Sequence, residues 1–315
     1  MKILIPKALR RGDVIGLISP SSTCAEPEKI EQAVTYLEQH GFRVRPSRYL
    51  NQAEIDPAHT DRYKLHDIHQ TFADPEVKAV FCLRGGAGAT RLLDRIDYGL
   101  IAANPKILVG YSDITALSLA VFAKTGLVNF SGPMAATELF APTSYTEEHF
   151  WGMLTDPGYA ASLSNFEGHQ LRCLKPGTAT GRLIGGNLSV LSSMIGTPFL
   201  PSFRGALLFA EDINEPAYRI DRMLSHLFNA GLVQRCRGLL FGQFCKNPAD
   251  ENRDYRFDKM FAYYADRMPE GTPVMTGLSY GHIVELMTIP VGAKCRIELG
   301  SDSFAFGAVE PVVQA

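Results

Sequence analysis

Between Val14 and Gly126, short apolar runs alternate with segments whose apolar residues recur at helical spacing, and that alternation leaves few folds open. Val14–Ile18, Phe42–Arg45, "VKAVFCL" from Val77 and Ile107–Val109 read as strands. Glu28–His40 carries Ile30, Val34 and Leu37 on one face and reads as a helix closed by Gly41. A second helix, with Thr60 or Asp61 as its cap, presents Leu65, Ile68 and Phe72, and a third holds Ile114, Leu117 and Val121. Between them the turn "RGGAG", Arg84–Gly88, leads into a helical stretch with Leu92 and Leu93. Strands joined by helices pair in parallel, and the resulting sheet must be covered by helices. Ligands of such sheets sit beyond the carboxyl ends of the strands. Both RGGAG and Ser112 fall at such ends.

The polar stretch Ser162–Thr180 reads as a connection to a second unit. There Leu188–Ile195 and Tyr218–Asn229 read as helices, "GALLFAED" and "GLLFGQF" as buried strands, and a helix is expected near Tyr255–Asp266 before a run of short β-like segments. A chain of 315 residues suggests two units of about 150 each, and the division is placed between 1–165 and 166–315. With 31 Lys and Arg against 33 Asp and Glu, nothing invites nucleic acid or an anionic membrane surface. The opening "MKILIPKALRRGD" lacks the apolar stretch of a secretory signal, and no segment approaches 18 apolar residues, so a cytoplasmic location is expected. The six cysteines include no C-x-x-C pair, which removes the usual zinc and redox signatures and suggests reduced thiols.

Three residues can make one site. Ser112, in "VGYSDITAL", stands where an apolar strand turns sharply into a helix. A hydroxyl there is either a helix cap, a role Asp113 could also fill, or a nucleophile of the elbow type, although Ile114 replaces the second glycine of G-x-S-x-G. A serine nucleophile needs a base, usually histidine. Of the eight histidines, His66 and His69 lie three apart on a helix without visible further metal ligands, His40 and His226 belong to helices, and His59, His149 and His169 sit in polar text and are expected to be exposed. His282 differs: it follows the loop "GLSYG", where Gly281 leaves room for close approach. The orienting carboxylate is Glu211 or Asp212 at the end of "GALLFA", with Glu215 and Asp221 as weaker rivals, and spacing does not choose between the first two. Gly85 and Gly86 let the backbone approach a ligand and offer N–H groups. The turn fails the dinucleotide fingerprint, because Arg91 stands where its last glycine is required, and no Gly-Lys pair exists for a P-loop.

Taken together, "FADPEVKAVFCLRGGAGATRLL", "PKILVGYSDITAL", "FSGPM", "GRLIGGNL", "EDINEPAYRIDRML" and "GLSYGH" resemble, in this order and almost end to end, the LD-carboxypeptidase family of serine peptidases, in particular murein tetrapeptide carboxypeptidases. The resemblance implies an α/β fold: a Rossmann-like parallel sheet in the N-terminal domain and a smaller mixed α/β C-terminal domain. It implies a triad of Ser112, Glu211 and His282, and an oxyanion hole from the backbone N–H groups of Gly86 and Asp113. It also implies a homodimer that uses no metal or cofactor and releases the C-terminal D-alanine from peptidoglycan-derived tetrapeptides. The family commonly carries tyrosine within the glycine turn, where this chain has Ala87, so a side chain near the substrate is lost. Arg84 is a candidate partner for the D-alanine carboxylate, Asn187 a further polar candidate or a helix cap, and Trp151 a packing or dimer contact. Two rivals remain: a related amidase that cleaves a peptidyl-nucleotide antibiotic, and a non-catalytic module that binds peptide or nucleotide at the glycine turn.

Overall fold

The computed structural model describes residues 2–53, 56–245 and 257–315. Strands β1 (Val14–Ile18), β2 (Arg43–Pro46), β3 (Val77–Cys82), β4 (Ile107–Val109) and β5 (Asn129–Ser131) lie parallel in the order 2-1-3-4-5. Helices α1 (Pro27–Gln39), α2 (Pro57–Ala73), α3 (Tyr98–Ala103) and α4 (Thr115–Thr125) make the crossovers, and α5 (Ser144–Thr155) follows β5. Every residue of β1, β4 and β5 is buried, as a sheet covered on both faces requires. Gly126, with φ +74°, closes α4 in the left-handed conformation that glycine adopts without strain.

Some local details depart from the sequence pattern. The cap of α2 is Asp56, whose side chain accepts from the His59 N–H, and Pro57 starts the helix. Thr60 and Asp61 lie inside it, and the Asp61 carboxylate instead accepts from the Arg91 and Arg95 guanidinium groups. After the glycine turn comes only a 3₁₀ turn, Ala89–Leu92, ahead of α3. His149 is buried on α5 between the rings of Tyr145 and Tyr159, not exposed. The polar stretch around 162–180 contributes β6 (Arg172–Lys175) and the start of β7 (Gly177–Asn187). Its polarity fits β6, an edge strand that is largely half-buried.

The second sheet continues with α6 (Leu188–Ser193), β8 (Leu207–Ile213), α7 (Ala217–Asn229), β9 (Gly238–Cys245), α8 (Phe257–Asp266) and β10 (Val274–Thr276). Tyr255 and Arg256, included in the sequence reading of α8, lie outside the described residues. After β10 the chain forms β11 (Ile289–Val291), β12 (Lys294–Leu299) and β13 (Phe304–Ala308). The second sheet runs in the order 13-12-7-8-9-10-6; β7 to β10 form a parallel centre, and β6 and β12 pair with it antiparallel.

Strand β11 belongs to neither end of that sheet. It crosses back to pair antiparallel with β5, Ile289 opposite Ser131, and so covers the open edge of the first sheet. Around this seam the two layers interlock. Tyr280 shares a 2.7 Å hydroxyl hydrogen bond with Ser131, and Thr146 of α5 donates to the Val284 carbonyl at 2.9 Å while accepting from the Leu286 N–H at 2.9 Å. Gly186, with φ +140°, lies so close to Thr115 that an added Cβ would fall 2.5 Å from its hydroxyl. The apolar cores of both halves form one continuous cluster.

Candidate active site

Strand β4 ends at Val109, Gly110 and Tyr111 turn the chain, and Ser112 follows at φ +62°. A non-glycine residue in that region carries strain of about 1–3 kcal/mol, which surrounding structure must hold in place. Neither cap reading survives. A 3₁₀ turn spans Ser112–Ile114, α4 begins at Thr115, and the residues at the two cap positions are Tyr111 and Ile114. The Asp113 carboxylate turns away and accepts from the Ser21 hydroxyl at 2.6 Å and the Ala89 N–H at 2.9 Å, tying the loop after β1 to the glycine turn.

The second sheet brings up the partners. His282 lies in the loop between β10 and β11. Its Nε2 lies 3.0 Å from Ser112 Oγ and its Nδ1 2.8 Å from Glu211 Oε2. A carboxylate can only accept, so Nδ1 carries the proton and Nε2 accepts from the serine hydroxyl. Glu211 is fully buried, and its other oxygen accepts from Asn187 Nδ2 at 3.1 Å. Geometry thus makes the choice that spacing left open: Glu211 faces the imidazole, while Asp212 accepts from the N–H groups of Ser189 and Ile213 and from Asn187. Burial and the neighbouring Glu211 charge push Asp212 up to about 6. Burial alone depresses His282, but the hydrogen bond and charge of Glu211, joined by the charges of Glu138 and Asp212, outweigh it and leave the imidazole above its ordinary value.

The glycine turn walls the hydroxyl on the side of β3. An added Cβ at Gly85 would fall 2.8 Å from Ser112 Oγ, and one at Gly86, with φ +124°, would fall 2.3 Å from Ser22 Oγ. Ser22 in turn accepts the Ala87 N–H at 3.1 Å, which sets the turn. A cleft of about 250 Å³ opens over Ser112 and His282, lined also by Arg84, Gly85, Gly86, Tyr111, Met134 and Lys29. Arg84 faces this cleft and anchors itself by donating to the Thr23 carbonyl.

Asn187 does not reach the cleft. It is buried behind Glu211, and its Oδ1 caps α6 through the Val190 N–H. Glu215 pairs with Arg219, and Asp221 accepts from the Tyr264 hydroxyl, so neither rival carboxylate approaches the imidazole. His66 leans on Asp67, and His69 accepts the Asp97 N–H. Trp151 packs against Phe42 and donates to the Tyr36 hydroxyl. The sequence reading passed over Tyr111 and Glu138. Their signal in the sequence is a tyrosine directly before Ser112 and a lone acid inside "PMAATELF".

Against known families, residues 15–132 match the model of the LD-carboxypeptidase N-terminal domain, and residues 180–297 match that of the LD-carboxypeptidase C-terminal domain. The chain belongs to the LD-carboxypeptidase family. A probable murein peptide carboxypeptidase of Bacillus subtilis (strain 168) is 39% identical over 298 residues, covering 93% of this chain and 91% of that protein. The crystal structure of a muramoyltetrapeptide carboxypeptidase from Oxalobacter formigenes superposes with a TM-score of 0.82 at 29% identity, over 95% of this chain and 99% of the other. MccF, solved in complex with glutamyl sulfamoyl guanosine, gives a TM-score of 0.89 over 99% and 100% of the two chains; at 24% identity it speaks for the fold alone. This family member is an α/β protein with a parallel-stranded first sheet and a mixed second sheet.

Proposed function

We propose that the protein is a serine LD-carboxypeptidase that removes the C-terminal D-alanine from peptidoglycan-derived tetrapeptides. The observation that carries this reading is the unbroken relay Ser112–His282–Glu211, at 3.0 and 2.8 Å, facing a cleft. Relatives named for murein peptides support the substrate class. His282 Nε2 takes the Ser112 proton as Oγ attacks the carbonyl carbon before D-alanine. The backbone N–H groups of Gly86 and Asp113 receive the oxyanion. The imidazolium, supported by Glu211, then gives its proton to the departing amine as the C–N bond breaks. Water, deprotonated by the same imidazole, hydrolyses the acyl-serine and releases the tripeptide. Arg84 receives the substrate carboxylate at the cleft wall. No step calls on a metal or cofactor, so chelators leave turnover intact. The working species is a homodimer in the cytoplasm, and among the described residues no helix is long and apolar enough to cross a membrane.

The test is D-alanine release from a murein tetrapeptide by the wild-type protein and by Ser112→Ala. Release by the first and not the second is expected. If the wild type releases none yet cleaves an aminoacyl sulfamoyl nucleoside, the substrate assignment passes to the peptidyl-nucleotide amidase. If it binds tetrapeptide without cleaving anything, the protein is a binding module.

A further inference from the structure

The residue just before the proposed nucleophile joins the site to a second acid that the triad does not use. The Tyr111 ring packs at 4.9 Å, centroid to centroid, against the imidazole of His282. Its hydroxyl donates to Glu138 Oε1 at 2.7 Å, and Glu138 Oε2 accepts the Met134 N–H at 2.9 Å. Both carboxylate oxygens are therefore held, and the charge they carry interacts with His282. Tyr111 itself is buried, and Met134 lines the same cleft as Ser112.

We propose that Tyr111 and Glu138 are a positioning pair for His282: the phenol ring sets the tilt of the imidazole, and the carboxylate that holds the phenol places a second negative charge at the site. This rests on the proposed role of His282 as the base. Glu211 from β8 and Tyr111 and Ser112 after β4 contact the imidazole, Asp212 from β8 and Glu138 beyond β5 act on it by charge, and Cys245 from β9 donates its thiol to the His282 carbonyl. Arg84 and Lys29 share its cleft.

The pair is itself tuned. Enclosure of its carboxylate lifts Glu138 to about 7, against the pull of the Met134 N–H, the Tyr111 hydroxyl and His282. Removing the Tyr111 hydroxyl withdraws one donor from the carboxylate, so Glu138 takes up its proton at a higher pH and its charge fades near neutrality. Tyr111→Phe and Glu138→Gln must therefore act on His282 in the same direction, although one keeps the acid and the other keeps the phenol.

The experiment follows the His282 ring signals by NMR across pH in the substrate-free protein, with His282→Asn to assign them, and the pH profile of kcat/KM for D-alanine release. In Glu138→Gln and in Tyr111→Phe the imidazole midpoint moves down in pH. The acid limb of kcat/KM follows where Glu138 carries its charge in the wild type, so activity at pH 7 as a fraction of the plateau rises by up to about twofold. An unchanged midpoint in both variants, whatever happens to kcat, overturns the pair and leaves Tyr111 and Glu138 as packing. The NMR arm needs no substrate: a shifted midpoint in a protein that releases no D-alanine keeps the pair and removes the proposed reaction instead. If Glu138→Gln fails to fold, Tyr111→Phe, which preserves the ring, carries the same decision.

Discussion

Ser112 has the sharpest consequences. Its hydroxyl is held in a strained backbone conformation and already lies within hydrogen-bond distance of the imidazole. Ser112→Ala should lower kcat/KM about 10³–10⁶-fold with an unchanged circular dichroism spectrum; residual turnover near wild type would locate the chemistry elsewhere. Glu211→Gln keeps the shape of the relay but removes the charge behind the imidazolium, and a loss of about 10²–10⁴-fold in kcat is expected from steady-state kinetics. The pH dependence has a fixed sign. On the proposed chemistry the base works only as the neutral ring, and His282 lies above its ordinary value of 6.5, so kcat/KM should climb with pH along a limb centred above 6.5. A pH–rate profile centred below that value would contradict the geometry. These residues were partly legible in the sequence. Ser112 announced itself because a polar residue at the end of a wholly apolar strand is conspicuous. Glu211 and Asp212 could not be told apart, because neighbouring residues of a strand that is buried on both sides look equally unfavourable. A register irregularity between Ala210 and Asp212, visible only once β9 is paired, helps decide which acid reaches the loop.

The elements that hold these residues depend on close backbone approach. β3 delivers the glycine turn against the serine, and any side chain at Gly85 collides with it. Gly85→Ala should therefore depress kcat at least tenfold while thermal unfolding shows a loss of only about 1–3 kcal/mol, since the displaced group is the hydroxyl and not the core. Asn187 both caps α6 and holds the far oxygen of Glu211, so Asn187→Ala should lower stability by about 1–2 kcal/mol and kcat together, as read by urea denaturation and kinetics. The helix and strand order of the first sheet was legible because apolar period and glycine punctuation agree along it. The start of α2 was not. Asp56 and Pro57 form a good start signal, but they precede the first apolar residue of the helix face by two turns, and the eye goes to Thr60 and Asp61. The burial of His149 was invisible for a different reason: the groups that cover it include Tyr159, which returns from beyond the end of α5.

The two sheets are joined by more than the chain between them. β11, drawn from the C-terminal half, closes the edge of the N-terminal sheet, and Tyr280 and Thr146 stitch the same seam. We expect the whole protein to unfold in one transition, with tyrosine fluorescence and far-ultraviolet circular dichroism coinciding in urea. A fragment of residues 1–165, left with β5 as a bare edge, should aggregate or lack a cooperative transition. No pattern in the sequence revealed this exchange, because three apolar residues look the same whichever sheet they join. It also orders events in time. A chain made from its N-terminus assembles β4 and the turn carrying Ser112 long before His282, and β11, which fastens the loop of that histidine, comes later still. On the proposed chemistry, a half-made molecule on the ribosome carries a serine without a base, and hydrolytic power arrives only with the last few dozen residues.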